Sequence, residues 1–201
     1  MPSFAELVEL IRLRSSATSH LAVGISGYGG SGKSTLARAL VRSVSGSIRV
    51  RGDDFLDPAR SHHRSQDWDG MDRVRLRQEV LEPFRLGRTV RLRRFNWSTR
   101  ALGPSEQLPD ARVLIVDAVG LFHPELNGML DVKIWIDLDL RTATERGKAR
   151  DRALGRSHDR LWDDVWVPND REFAVRFHPA QGADVLHIDD ADESWRSVCS
   201  Q

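Results

Sequence analysis

Cysteine is nearly absent from this sequence: of 201 residues, only Cys199 carries a thiol. A disulfide framework and a multi-cysteine zinc site are both excluded. Lysine is scarce too, found only at Lys33, Lys133 and Lys148, so nearly all the basic charge is arginine. Net charge of one sign is also missing, since 30 basic residues face 29 acidic ones for a balance of +1. That balance gives no support to a strongly basic nucleic-acid binder, although a local patch stays open. The longest apolar runs, Val113–Val116 and Ile134–Ile136, fall far short of the ~20 residues that span a bilayer. Met1–Glu9 holds acids and no basic, apolar leader, so the reading is a cytoplasmic protein without a membrane partner. What is present is globular: 40% hydrophobic and 29% charged residues, in a length that suits one domain over 1–201.

Apolar periodicity divides the chain into alternating elements. Phe4, Leu7, Val8, Leu10 and Ile11 recur at helical spacing over residues 3–14. Leu21–Ser26 reads as a buried strand, Ser34–Ser43 as a helix and Ile48–Arg51 as a second strand. Val74–Leu86 predicts a helix that Pro83 should end or bend. Val113–Val116, Val132–Leu138 and Val185–Ile188 are further strands, with a helical, arginine-rich Arg141–Ala153 before the last. Strands alternating with helices predict an α/β fold with about five parallel strands covered on both faces. Residues 57–100 begin polar and weakly patterned and read as an excursion around a site, not as a linker.

The strongest local signal is Gly27-Tyr28-Gly29-Gly30-Ser31-Gly32-Lys33-Ser34, which fits G-x-x-x-x-G-K-[ST] without a mismatch. Glycines at 27, 29, 30 and 32 allow the turns that aim successive N–H groups at anionic oxygens. The following helix adds its positive end. Lys33 is expected on the β- and γ-phosphates and Ser34 on Mg²⁺. Ser31 and Thr35 complete the loop, with Thr35 helping the helix start. A plain glycine turn would explain the glycines but not Lys33-Ser34 at this offset. No N-K-x-D tetrad for guanine occurs, and the chain is short for a helicase, which leaves a small-molecule kinase as the expected class.

Asp117 ends the apolar strand, where a carboxylate can face Mg²⁺ beside the loop. Asp53 and Asp54 follow another strand, and one of them is placed to take the proton of an attacking hydroxyl. Arg141, Arg146, Lys148, Arg150, Arg152 and Arg156 make a basic helix suited to the charge of phosphoryl transfer. Arg146 and Arg150 are the expected ATP contacts, with Arg150 assisting catalysis. A second run, Arg85, Arg88, Arg91, Arg93 and Arg94, interleaves with Phe95 and Trp97. It is the one feature a nucleic-acid-associated or regulatory ATP-binding module could use. His62, His63 and His123 lack metal-ligand spacing.

Taken in order, these motifs resemble the uridine kinase-like branch of P-loop kinases, which includes phosphoribulokinase and nicotinamide riboside kinase. The resemblance runs from GISGYGGSGKSTLARAL to ADVLHID. It implies a P-loop three-layer sandwich, ATP and Mg²⁺, a lid over about 141–156 and a small-molecule acceptor. The family's D-x-F-Y stretch is Asp53-Asp54-Phe55-Leu56 here, which gives Asp53 the base role. Asp67-Trp68-Asp69-Gly70-Met71-Asp72 loosely matches D-x-P-x-x-F-D, and Arg94-Phe95-Asn96-Trp97 matches P-x-Y-D-F. Asp117-Ala118 stands for the E-G after the Walker B strand, and Arg150-Asp151 for the lid R-D. Asp53, Phe55, Phe95, Trp97 and Arg100 are then the expected acceptor contacts. Leu56 and Phe95 replace tyrosines, Asn96 an aspartate, and Arg100 a base-reading histidine. The expected acceptor is therefore nucleoside-like or sugar-like, and uridine itself does not carry over. Homo-oligomerisation stays open.

Overall fold

The computed structural model describes residues 2–57, 59–96, 99 and 101–187. Trp97, Arg100, Ile188 and Cys199 lie outside the described residues. Helix α1 (Phe4–Ser16) opens on Ser3, whose side chain caps Glu6 N–H while Glu6 bonds back to the Ser3 N–H. Strand β1 (Leu21–Ser26) leads through the glycine loop into α2 (Lys33–Ser43), then β2 (Ser47–Arg51). Strands β3 (Arg91–Asn96) and β4 (Ala101–Gln107) form a separate antiparallel pair. Strands β5 (Val113–Asp117), β6 (Val132–Ile136) and β7 (Val185–His187) complete the main sheet.

That sheet holds five strands, parallel throughout as expected, and their order is β2-β5-β1-β6-β7. Every residue of β1 and β5 is buried, because helices cover both faces and neither face alternates with water. On one face Leu7, Ile11, Leu36 and Leu40 pack on Val23, Ile25 and Ile115. On the other, Phe55, Leu76, Leu81 and Phe84 pack on Leu114 and Val116. Each such side chain contributes roughly 1.5–3 kcal/mol by leaving water. Register sets Ile25 and Arg51 level with Asp117 on either side of it, so the carboxyl ends of β1, β5 and β2 meet at one place.

The helix over 73–85 ends two residues after Pro83, close to the expected span. It widens to a π turn at Arg77–Leu81, where Glu82 N–H reaches back to the Arg77 carbonyl. Pro83 then sits in the last turn, Glu82–Arg85, directly after the wide turn.

Two elements had no counterpart in the pattern reading. The β3–β4 hairpin has a register shift between Arg93 and Phe95, which breaks the alternation of Leu92 and Phe95. Residues 159–177 form a helical stretch: Asp159–Leu161, a π turn at Trp162–Trp166, then Val167–Phe177.

Candidate active site

The phosphate loop joins β1 to α2 with Gly30 at φ +83° and Gly32 at φ +103°, conformations that L side chains rarely adopt. A Cβ on Gly30 would also overlap the Ala143 carbonyl of the arginine-rich helix Leu140–Ala153. The loop and that helix therefore touch through backbone, and glycine is required there for two separate reasons.

Lys33 is buried, and its ammonium donates to the carbonyls of Gly27 at 2.9 Å and Tyr28 at 2.7 Å. Burial pushes its pKa down, while the carboxylates of Asp170, Asp117 and Asp53 oppose that shift and Arg150 adds to it. The Ser34 hydroxyl donates to Asp117 Oδ2 at 2.7 Å. Asp117 also accepts from Arg49 on the neighbouring strand β2. The buried Ser31 hydroxyl has no hydrogen-bond partner among the described residues, although it lies inside a loop rich in N–H groups. Thr35 bonds back through its N–H to the Gly32 carbonyl at 2.9 Å, tightening the helix start.

An oxygen-rich ligand fits these groups: a glycine cradle, an unpaired buried hydroxyl, a lysine and a Ser–Asp oxygen pair. Among the described residues, no three His, Cys, Asp or Glu side chains cluster as metal ligands. A cation here would draw on Ser34 and Asp117 and complete its shell from phosphate and water.

Asp53 and Asp54 lie in a 3₁₀ turn, Gly52–Phe55, past the end of β2. Their side chains diverge. Asp53 is largely exposed, with Arg51 Nη2 at 3.3 Å, and its charge is felt at Lys33. Asp54 is buried and holds Arg94 Nη1 at 2.6 Å. The bulge in β3 turns Arg94 toward this carboxylate and toward Glu106. Phe55, expected at the acceptor, is instead a fully buried core residue with the Arg75 guanidinium 4.2 Å over its ring. The ring of Phe95 is also buried, within the hairpin. The second basic run is largely neutralised: Arg85 pairs with Asp131, Arg93 with Glu79, and Arg94 with Asp54 and Glu106.

Asp139 caps the arginine helix through the Thr142 N–H. Ala143 and Gly147, one turn apart, face the phosphate loop. Arg146 and Arg150 are likewise one turn apart, on the exposed side. Arg150 bonds to Asp151 Oδ1 at 2.9 Å. The buried Asp151 carboxylate is held below the usual range, against its burial, by the indole N–H of Trp162, by Arg150 and by His158.

The pattern reading missed Trp162 and Asp170. The Trp162 ring is wedged between Gly29 and Gly147, its edge 3.0 Å from where a Gly29 Cβ would stand. Asp170 is buried and accepts from the Gly29 N–H at 2.7 Å and from Trp68 Nε1 at 2.9 Å. Burial pushes its pKa up to about 6, against Lys33 and these two donors. The signal was available: Trp162, Trp166, Asn169, Phe173 and Phe177 recur at helical spacing, but Pro168 interrupts them.

No family model matches the chain. Uridine-cytidine kinase C of Dictyostelium discoideum is 27% identical over 132 residues, which is 64% of this chain and 29% of that protein. The match thus spans less than a third of the length of this curated relative. A candidate fructose transport system kinase from Silicibacter sp. TM1040 superposes with a TM-score of 0.74 at 21% identity, covering 93% of this chain and 100% of its own. A possible uridine kinase from Bacillus stearothermophilus gives 0.64 at 17%, covering 90% and 100%. No helix among the described residues is long and apolar enough to cross a membrane. In motif order, in sequence and in fold, the chain is similar to the uridine kinase-like branch of the P-loop kinases.

Proposed function

We propose that the protein transfers the γ-phosphoryl group of MgATP to a hydroxyl of a nucleoside-like or sugar-like small molecule. The observation that carries this reading is the convergence at the carboxyl ends of β1, β5 and β2. Lys33, the Ser34–Asp117 pair and the exposed Asp53 meet there, around a phosphate loop.

In this reading Lys33 leaves the carbonyls of Gly27 and Tyr28 for phosphate oxygens, while Ser31 and the loop N–H groups complete the cradle. Mg²⁺, held by Ser34 and Asp117, supplies charge neutralisation on the phosphate oxygens. Asp53 stands at the acceptor side as an exposed carboxylate and takes the hydroxyl proton as it is lost. Arg150 and Arg146 oppose the charge of the transferring group, and the helix that carries them shields it from water. Trp97 and Arg100 remain proposed acceptor contacts, as does Phe95 through its hairpin.

The rival reading, ATP binding without a small-molecule acceptor, drew on the second basic run, whose arginines are largely engaged with acids. ADP release is measured with MgATP alone and with a panel of nucleosides and sugars. Acceptor-dependent release supports a kinase, whereas equal release with and without every acceptor removes that reading.

A further inference from the structure

The helical stretch 159–177 takes part in none of the steps above, yet it grips one segment of the chain repeatedly. Trp166 Nε1 donates to the Ser61 carbonyl at 3.0 Å. Asn169 accepts from Arg64 and from the Ser65 N–H, both at 2.8 Å, and donates to the His63 carbonyl at 2.9 Å. Asp170 takes the Trp68 indole N–H on Oδ1 and the Gly29 N–H on Oδ2. One buried carboxylate thus ties the phosphate loop to the segment 61–68, which runs directly into Asp72 and the helix over 73–85.

Both bonds are specific. A buried carboxylate without donors is costly, so each of its oxygens has a strong incentive to keep its partner. Trp68 is held from its other side, because Arg73 Nη1 donates to the Trp68 carbonyl at 2.9 Å and Arg73 Nε pairs with Glu125. Trp68 also sits at φ +54°, a conformation uncommon for a bulky residue. Its placement is therefore imposed by these contacts and not by local preference. On the loop side, Asp170 interacts with Lys33 through space, and Lys33 is the group that must turn when phosphate arrives.

We infer that Asp170 is a positioning residue that couples the phosphate loop to the segment 61–72, passing occupancy of the loop at Gly29 to that segment through Trp68. The inference rests on the reading that nucleotide occupies the phosphate loop. It adds that the segment leading into the helix over 73–85 is set by the same carboxylate that fixes the loop. Asn169 and Trp166 hold the segment to the helix, and Asp170 bonds to both the segment and the loop. When Lys33 turns to phosphate, the charge facing Asp170 changes and its hold on Gly29 and Trp68 readjusts.

The test is hydrogen exchange on the full chain with and without saturating ADP and Mg²⁺. In the wild type, ADP is expected to slow exchange both at 27–34 and at 61–72, by about fivefold or more. Trp68→Phe keeps a ring in place and removes only the N–H donor. It is expected to keep the response at 27–34 and to lose that at 61–72. Asp170→Asn, which can no longer accept from both donors in the same way, should do likewise, and the double variant should do no more than either single one. Exchange in β1 and β5 and the melting temperature serve as controls for a merely structural effect. A response at 27–34 without one at 61–72 in the wild type overturns this inference and leaves the kinase reading standing. So does an unchanged response at 61–72 in folded Trp68→Phe. No response at 27–34 in the folded wild type overturns the nucleotide reading, and this inference with it.

Discussion

Arg49 and Asp117 are joined across β2 and β5 by two hydrogen bonds, 2.6 Å from Nε to Oδ1 and 2.8 Å from Nη2 to Oδ2. Asp117 is 3% exposed and Arg49 16%. The carboxylate expected to serve a cation is therefore already matched by a guanidinium, and Ser34 shares its Oδ2.

Arg49→Gln leaves Asp117 buried with a weaker partner. Breaking a buried pair typically costs about 3–5 kcal/mol, and the residual amide bond should bring this toward the lower end. A divalent cation can then replace the lost charge, so Mg²⁺ should raise the melting temperature of the variant more than that of the wild type. Thermal melts with and without Mg²⁺ decide it, and equal shifts in both proteins count against Asp117 as the cation's carboxylate.

Asp53→Asn should lower kcat by about 10²–10⁴ with nucleotide affinity little changed, the range for a lost general base. Asp54→Asn should act on stability instead, because its carboxylate anchors Arg94. With Arg94 partly exposed and still paired to Glu106, the loss should be about 1–2 kcal/mol. Steady-state kinetics beside chemical denaturation separate the two, and a reversed pair of outcomes assigns the proton to Asp54.

Gly147→Ala pushes a methyl group into the Trp162 ring, an overpacking that costs about 1–3 kcal/mol. Trp162 must then leave Gly29 or lose its bond to Asp151. ADP affinity should fall by about tenfold, or 1.4 kcal/mol, when followed by calorimetry. Unaltered affinity in a destabilised variant would make the Trp162 wedge a packing feature only.

Asp170 gives a pH signature of its own. Its folded value of about 6 lies above the ordinary 3.8, so between those values the unfolded chain releases a proton that the folded chain keeps. Its contribution is fully present below that window and is lost as pH rises through about 6, amounting to about 3 kcal/mol. Asp57, Asp67 and Asp151 are held low and slope the other way. The informative quantity is therefore wild-type stability minus that of Asp170→Asn, measured from pH 4 to 7. That difference should fall with rising pH, and a flat difference refutes the raised pKa.

The parallel sheet was readable because Val113–Val116 and Leu21–Ser26 are continuous apolar runs, and the phosphate loop because eight consecutive residues state it. Asp117 was readable by its place at a strand end. Arg49 was not, since nothing in Ile48–Arg51 shows that β2 will lie beside β5. The hairpin was hidden by the bulge at Arg94 and by Gly103-Pro104 in β4, residues that strands generally avoid. Phe55 misled because a motif position says nothing about which way a ring turns after a 3₁₀ turn. Asp170 was hidden because its partners, Gly29 and Trp68, are both more than 100 residues away.

The π turn at Trp162–Trp166 has a consequence for which changes the site can tolerate. Trp162 and Asp170 both converge on Gly29 although they are eight residues apart. In an unbroken α-helix, eight residues turn through about 800°, which leaves the two side chains about 80° out of line. One residue absorbed by the wide turn makes the effective spacing seven, about 700°, which brings them to within about 20° of one face. Helical phase rather than side-chain identity therefore aims both residues at the loop. Deleting Asp164 from the turn should therefore leave a regular α-helix with both residues still on one face, whereas inserting one residue there would turn one of them away by about 100°, with every contacting side chain still in the sequence.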